Sequence, residues 1–134
     1  MLFEHDNIVK SGIFITFSGN CKEALMLYQT CFGGVLHLET FDQELHGYSE
    51  KPVIRGSLVS DSIIIHGSDL VHEEGRKIGN YLSVFLPCKD PVHRDTLIAK
   101  LKSVAANPGT SDDVDQQLIE VIDAFDVRWV LSVK

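Results

Sequence analysis

The apolar run Gly12-Ile-Phe-Ile-Thr-Phe17 breaks at Ser18-Gly19-Asn20, resumes as a helical pattern and stops at the paired glycines Gly33-Gly34. A strand that feeds a helix ending on a left-handed turn needs a sheet for the helix to cover, and this constrains the fold more than composition does. Between Ile13 and Phe17 only Thr16 is polar, which predicts a strand buried on both faces. Asn20 with Glu23 three positions on resembles a capping box, and Ala24, Leu25, Leu27, Tyr28 and Cys31 form the apolar stripe. Gly33 or Gly34 then provides the left-handed residue that ends the helix.

Val35 to Phe41 reads as a second strand, followed by a polar segment, Asp42 to Lys51, and by Pro52 ahead of a third strand, Val53 to Val59. Ser60-Asp61 predicts a tight hairpin turn into a fourth strand, Ser62 to His66, rich in β-branched residues. Past a charged loop, Gly67 to Gly79, the order recurs. Asn80 to Leu86 is an apolar strand, and Pro91 opens a helix reaching about Val104 with Leu97, Ile98 and Leu101 inward. Asn107-Pro108-Gly109 is a break, with a short strand between Ala105 and Val114; Gln117 to Ile122 and Val127 to Val133 are strands joined by Asp123-Ala-Phe-Asp126. A βαβββ unit thus occurs twice at a spacing of about 65 residues. The expectation is an α+β fold in one domain over residues 1–134, with module one at about 12–67 and module two at about 79–134. Residues 1–11 form a tail or an added strand.

With 44% hydrophobic and 23% charged residues the composition is that of a folded chain. A net charge of −7 without a basic cluster gives no phosphate-tracking surface, so no nucleic-acid partner is expected. Cys21, Cys31 and Cys88 form neither a CxxC pair nor an even framework, which points to structural thiols in a reducing compartment. No signal-peptide pattern and no run of transmembrane length occurs, so a cytoplasmic protein without a membrane partner is expected.

Several stretches resemble the vicinal oxygen chelate superfamily, which includes glyoxalase I, bleomycin-resistance proteins and extradiol dioxygenases, and within it the PhnB-like branch. They are Phe17-Ser-Gly-Asn20, Glu23-Ala24-Leu25 with Tyr28, Phe32-Gly33-Gly34, His66-Gly67-Ser68-Asp69 and Leu82-Ser83-Val84. Asp123-Ala-Phe-Asp-Val-Arg-Trp129 resembles the branch's closing turn Asp-Pro-Phe-Gly-x-x-Trp, with Ala124 and Asp126 in place of proline and glycine. The resemblance implies two modules whose curled mixed sheets form a cup, with helices outside, and often a homodimer. In metal-dependent members, ligands stand on the first, fourth, fifth and eighth strands. Those positions fall here on Ile13, on His66 or Ser68, on Asn80 or Tyr81, and on Val130. Ile13 and Val130 offer no donor atom, so no metal and no cofactor is expected.

The candidate ligand-binding residues are His66, Tyr81, Ser83 and Arg128. His66 ends a strand, Tyr81 and Ser83 share one side-chain parity, and Arg128 shares that of Val130 and offers a fork for an anion. His46 with Glu44, His72-Glu73-Glu74 and Asp112-Asp113 with Asp115 read as solvated loop residues, since none has the spacing of a metal motif. The leading reading is a metal-free protein that binds a small molecule in a cup. The alternatives are a metal-dependent glyoxalase-like lyase or isomerase, and a dimeric interaction module whose cup is filled by side chains.

Overall fold

Seven strands and two helices fall into two units in the computed structural model, which describes residues 10–41, 51–70, 78–79, 81–102 and 117–133. The first unit contains β1 (Ile13–Thr16), α1 (Cys21–Phe32), β2 (Val35–Thr40), β3 (Val53–Val59) and β4 (Ile64–Ser68). The second contains β5 (Val84–Cys88), α2 (Pro91–Lys102), β6 (Leu118–Ile122) and β7 (Arg128–Val133). The sheet orders are β1-β4-β3-β2 and β5-β7-β6. β1 runs parallel to β4 and β5 parallel to β7, while the remaining pairs are antiparallel. The arrangement β1-β4-β3 therefore recurs as β5-β7-β6, and the fold is α+β. Residues 1–9, 42–50, 71–77, Asn80, 103–116 and Lys134 lie outside the described residues, and with them the short strand expected between Ala105 and Val114. No helix among the described residues is long and apolar enough to cross a membrane.

Each sheet has one covered face. Leu58 and Ile65 are fully buried beneath α1, and Val121, Trp129 and Leu131 are fully buried in the second unit. Two glycines let α1 seat directly on β3 and β4. A Cβ on Gly56 would fall 2.6 Å from Leu25 Cδ1, and one on Gly67 would fall 2.9 Å from Phe17 Cε2. The other face of the first sheet is open, so β1 is not buried on both sides as its unbroken apolar run predicts. Ile13 and Ile15 lie in register with Ile65 and Gly67, toward α1, whereas Phe14 lies beside His66 on the uncovered side and is 53% exposed.

The ends of α1 are fixed by contacts from distant chain. Asn20 occupies the N-cap position but makes no side-chain capping bond. Asp69, just past β4, does that work instead. Its Oδ1 accepts from the Gly19 N–H (2.7 Å) and the Cys21 N–H (3.1 Å), and its Oδ2 accepts from the Val53 N–H (2.9 Å). A buried carboxylate thereby satisfies orphan donors at the helix start, where negative charge is favoured. At the other end the Gly33 N–H donates to the Gln29 carbonyl, and Gly34 has φ +98° with its missing Cβ against the Val59 carbonyl. The connection from β3 to β4 is also longer than a tight turn at Ser60-Asp61. It runs from Ser60 to Ile63, closed by Ser60 Oγ donating to the Ile63 carbonyl at 2.7 Å.

In the second unit β5 begins at Val84, later than the apolar run suggests, because β7 begins at Arg128 and its register pairs Val84 with Trp129. Tyr81 and Ser83 therefore precede the strand. Pro87 is accommodated inside β5 because, among the described residues, β5 is an edge strand paired with β7 alone. Pro91 starts α2 as expected, and Leu97 and Leu101 face inward, joined by Arg94, which is 1% exposed and donates from Nη1 to the Gln117 carbonyl.

Asp123 joins the two units. Its Oδ2 accepts from the Tyr28 hydroxyl (2.7 Å) and the Trp129 Nε1–H (2.8 Å), and its Oδ1 from the Phe125 N–H (2.8 Å) and the Val127 N–H (3.1 Å). Around it the Trp129 ring packs edge-on against Tyr28 at 5.2 Å and lies tilted against Phe32 at 5.6 Å. In the same turn Asp126 has φ 66°, the left-handed region that the related pattern fills with glycine. Replacing Asp123 with Ala strands two buried side-chain donors and should lower stability by about 3–5 kcal/mol, against about 1–2 kcal/mol for Tyr28→Phe. Urea unfolding with an unchanged m-value checks both; an Asp123→Ala loss no larger than that of Tyr28→Phe would contradict the joining role.

Candidate ligand site

Register across the first sheet sets Phe14, His66, Ser57 and His37 side by side in one row over β1, β4, β3 and β2. Leu58 and Ile65 occupy the next row but point the other way, into the core, so this row belongs to the open face. Ser57 Oγ lies 2.8 Å from His66 Nδ1, so hydroxyl and ring share one hydrogen bond and the Nε2 edge stays available. Farther along the same face, Arg55 and Glu39 form an exposed ion pair at 3.6 Å. Such a pair adds little stability and leaves the face nearly neutral.

The corresponding row on the second sheet is Phe85, Val130 and Glu120. Phe85 is 58% exposed, and Leu118 on the same strand face as Glu120 is also exposed. Arg128 lies on this face too, with Nη1 donating to Glu120 Oε2 at 3.1 Å, so its guanidinium is already engaged by a carboxylate. Of the four candidate residues, His66 stands on the first sheet and Arg128 on the second, while Tyr81 and Ser83 are exposed on the approach to β5. Sequence reasoning did not single out Ser57 or His37. Parity along β3 and β2 relative to His66 was the only signal for them, and it depends on the hairpin register.

The family's metal chemistry can be tested against these positions. Ile13, where the first-strand ligand position falls, turns toward α1, so Phe14 is the residue of β1 beside His66. Val130 faces the open side of β7. Neither hydrocarbon coordinates a divalent ion, and among the described residues no three His, Cys, Asp or Glu side chains group to hold one. Among the described residues, those at these positions do not make up a metal centre.

The cysteines are free thiols held in their protonated form. Burial, with a contribution from Asp69, pushes Cys21 up to about 12, and burial pushes Cys31 up to about 11 despite the nearby Lys100. Burial raises Cys88 as well. They behave as small apolar core residues and not as nucleophiles. A thiol near 9 when unfolded and near 12 when folded contributes stability that is complete below pH 9 and lost as pH rises toward 12. The urea midpoint should therefore fall between pH 9 and 11, and fall less in Cys21→Ala; an equal fall in both proteins would assign the loss to other groups.

No protein-family model matches the sequence, and no curated protein matches it. Solved structures do. A protein of Pseudomonas aeruginosa aligns with a TM-score of 0.74 at 20% identity, over 95% of this chain and 98% of its own. The PhnB protein of Bacillus cereus aligns with a TM-score of 0.73 at 21% identity, over 94% and 100%. A variant of the fosfomycin-resistance protein FosX of Listeria monocytogenes, complexed with Mn(II) and a dihydroxypropylphosphonic acid, gives 0.59 at 13%, over 93% and 91%. The fold is the one these solved structures share, PhnB, FosX and a glyoxalase/bleomycin-resistance/dioxygenase domain of Frankia among them. Chemistry has to be argued from the site itself.

Proposed function

We propose that this chain is a metal-independent small-molecule binding protein whose ligand lies over the open face of the first sheet, its polar end met by His66. The row Phe14, His66, Ser57 and His37 carries the reading: an aromatic surface beside an imidazole that a hydroxyl holds from one side. An apolar patch with a few fixed polar groups is the usual composition of a ligand site. Phe14 desolvates the ligand body, and His66 Nε2 with the Ser57 hydroxyl orients the polar end. Tyr81, Ser83 and Arg128 are further contacts from the second unit, Arg128 once an anionic group displaces Glu120. A glyoxalase-like reaction would need a metal to polarise an oxygen and a carboxylate to move a proton. The hydrocarbon side chains of Phe14 and Val130 weigh against it, and no proton transfer is assigned.

One sheet face is a wall and not an enclosure. In this reading a second copy of the chain supplies the opposite wall, and the exposed Phe14 and Phe85 are covered in a homodimer. The free thiols support a reducing, cytoplasmic setting.

Three measurements test these points. Protein purified without chelator should carry far less than one divalent ion per chain by elemental analysis. Metabolites that raise the melting temperature should bind about fivefold or more weakly to His66→Ala and to Ser57→Ala, the loss of one hydrogen bond. A stoichiometric metal, or ligands indifferent to both substitutions, refutes the proposal. Sedimentation should give a dimer at micromolar concentration that Phe85→Glu converts to a folded monomer; a wild-type monomer with the ligand bound rejects the two-chain cup alone.

A further inference from the structure

A cleft of about 490 Å³ opens between the two units, reaching the open face of the second sheet only at its rim, where Phe85 and Pro87 line it. Ile13 of β1 and Leu86 of β5 form its sides, with Ile63 of the β3–β4 connection, and Phe32 of α1 and Leu97 of α2 reach it from the helices. Ile13 and Leu86 lie in register with the buried Ile65 and Leu131, which puts them on the covered side of their sheets, opposite Phe14 and Val130. The cleft is thus distinct from the surface around His66.

Its lining has three informative properties. Among the described residues no Lys, Arg, Asp or Glu lines it, and the thiol of Cys31, which does, stays protonated up to about 11. It contains one oriented ring donor. His93 Nδ1 accepts from the Lys89 N–H at 3.1 Å, which leaves Nε2–H as the donor of that imidazole. Finally, the backbone that carries this ring is capped, since the His93 N–H donates to Asp90 Oδ1 at 2.7 Å in the first turn of α2. Ser62 and Ser83 are exposed lining residues that can extend the polar side.

We propose that this cleft is a second binding site, for an uncharged small molecule with an apolar body and a carbonyl acceptor. The lack of charged lining residues disfavours ionic ligands, which would lose hydration without gaining a counter-charge. Ile13, Phe32, Ile63, Leu86 and Leu97 take the apolar body, and His93 Nε2–H donates to the carbonyl. A volume of this size lies within the range of small-molecule pockets and suits a ligand of roughly 10–15 non-hydrogen atoms.

The test uses 4-phenyl-2-butanone as the probe and methyl NMR of the full chain. Binding should saturate with a dissociation constant of about 1 mM or tighter, shifting the methyl groups of Ile13, Ile63, Leu86 and Leu97. His93→Phe, which keeps a ring but removes the donor, should weaken binding about fivefold. Ser62→Trp, a change at an exposed lining position, should weaken it at least tenfold while the methyl spectrum stays that of the folded protein. The proposal is overturned by no saturation up to 10 mM, roughly tenfold past the expected constant. It is equally overturned by shifts centred on Val130 and the residues around His66, or by wild-type affinity in Ser62→Trp.

Discussion

The carboxylate of Asp123 is the contact on which the relation between the two units depends. Four donors converge on it, two from side chains and two from its own turn, and one of the side chains belongs to the other unit. A buried carboxylate is costly to desolvate, and only a full set of donors makes it tolerable. Here the set is complete only when α1 of the first unit lies against the closing turn of the second. Helix-to-turn docking and turn formation are therefore one event. The aromatic packing of Tyr28, Phe32 and Trp129 supplies the apolar burial around it, and the carboxylate supplies the geometry.

That division of labour bears on the site. With the helices and Asp123 holding the units together, neither open sheet face is needed to bury the core. Phe14 and Phe85 are left exposed at equivalent places in the two sheets, one beside His66 and the other beside Val130. The repeat is thus symmetric in architecture and asymmetric in chemistry. Each open face carries an arginine paired with a carboxylate, Arg55 with Glu39 and Arg128 with Glu120, but only the first sheet carries imidazoles on its row.

Much of this was legible in the chain. The periodicities of β3, α1, β6 and β7 mark their elements to within a residue or so, since each combines a covered face with clear turn residues at its ends. The failures have identifiable causes. The apolar run at β1 suggests burial on both faces because Phe14 is hydrophobic, yet composition cannot report which side a neighbouring layer covers. Asn20 looks like a cap because it stands in the right place, but Asp69 already satisfies the donors it would have served. A two-residue turn at Ser60-Asp61 would set His66 opposite Arg55, whereas the longer connection sets it opposite Ser57. Register, and with it the make-up of the site, was therefore beyond local pattern. The roles of Asp69 and Asp123, and the burial of Arg94, rest on contacts far apart in sequence and left no local trace.

The position of Asp69 also bears on the order of folding. The acceptor for the first turn of α1 lies 48 residues beyond Cys21, on the far side of three strands. A helix of 12 residues without a local side-chain cap is a poor independent nucleus in water. It gains its cap only once β4 has paired with β3 and carried the carboxylate into place. The start of α1 is thus completed by a distant group, so nascent chain that stops short of Asp69 carries the sequence of the helix without the group that caps it.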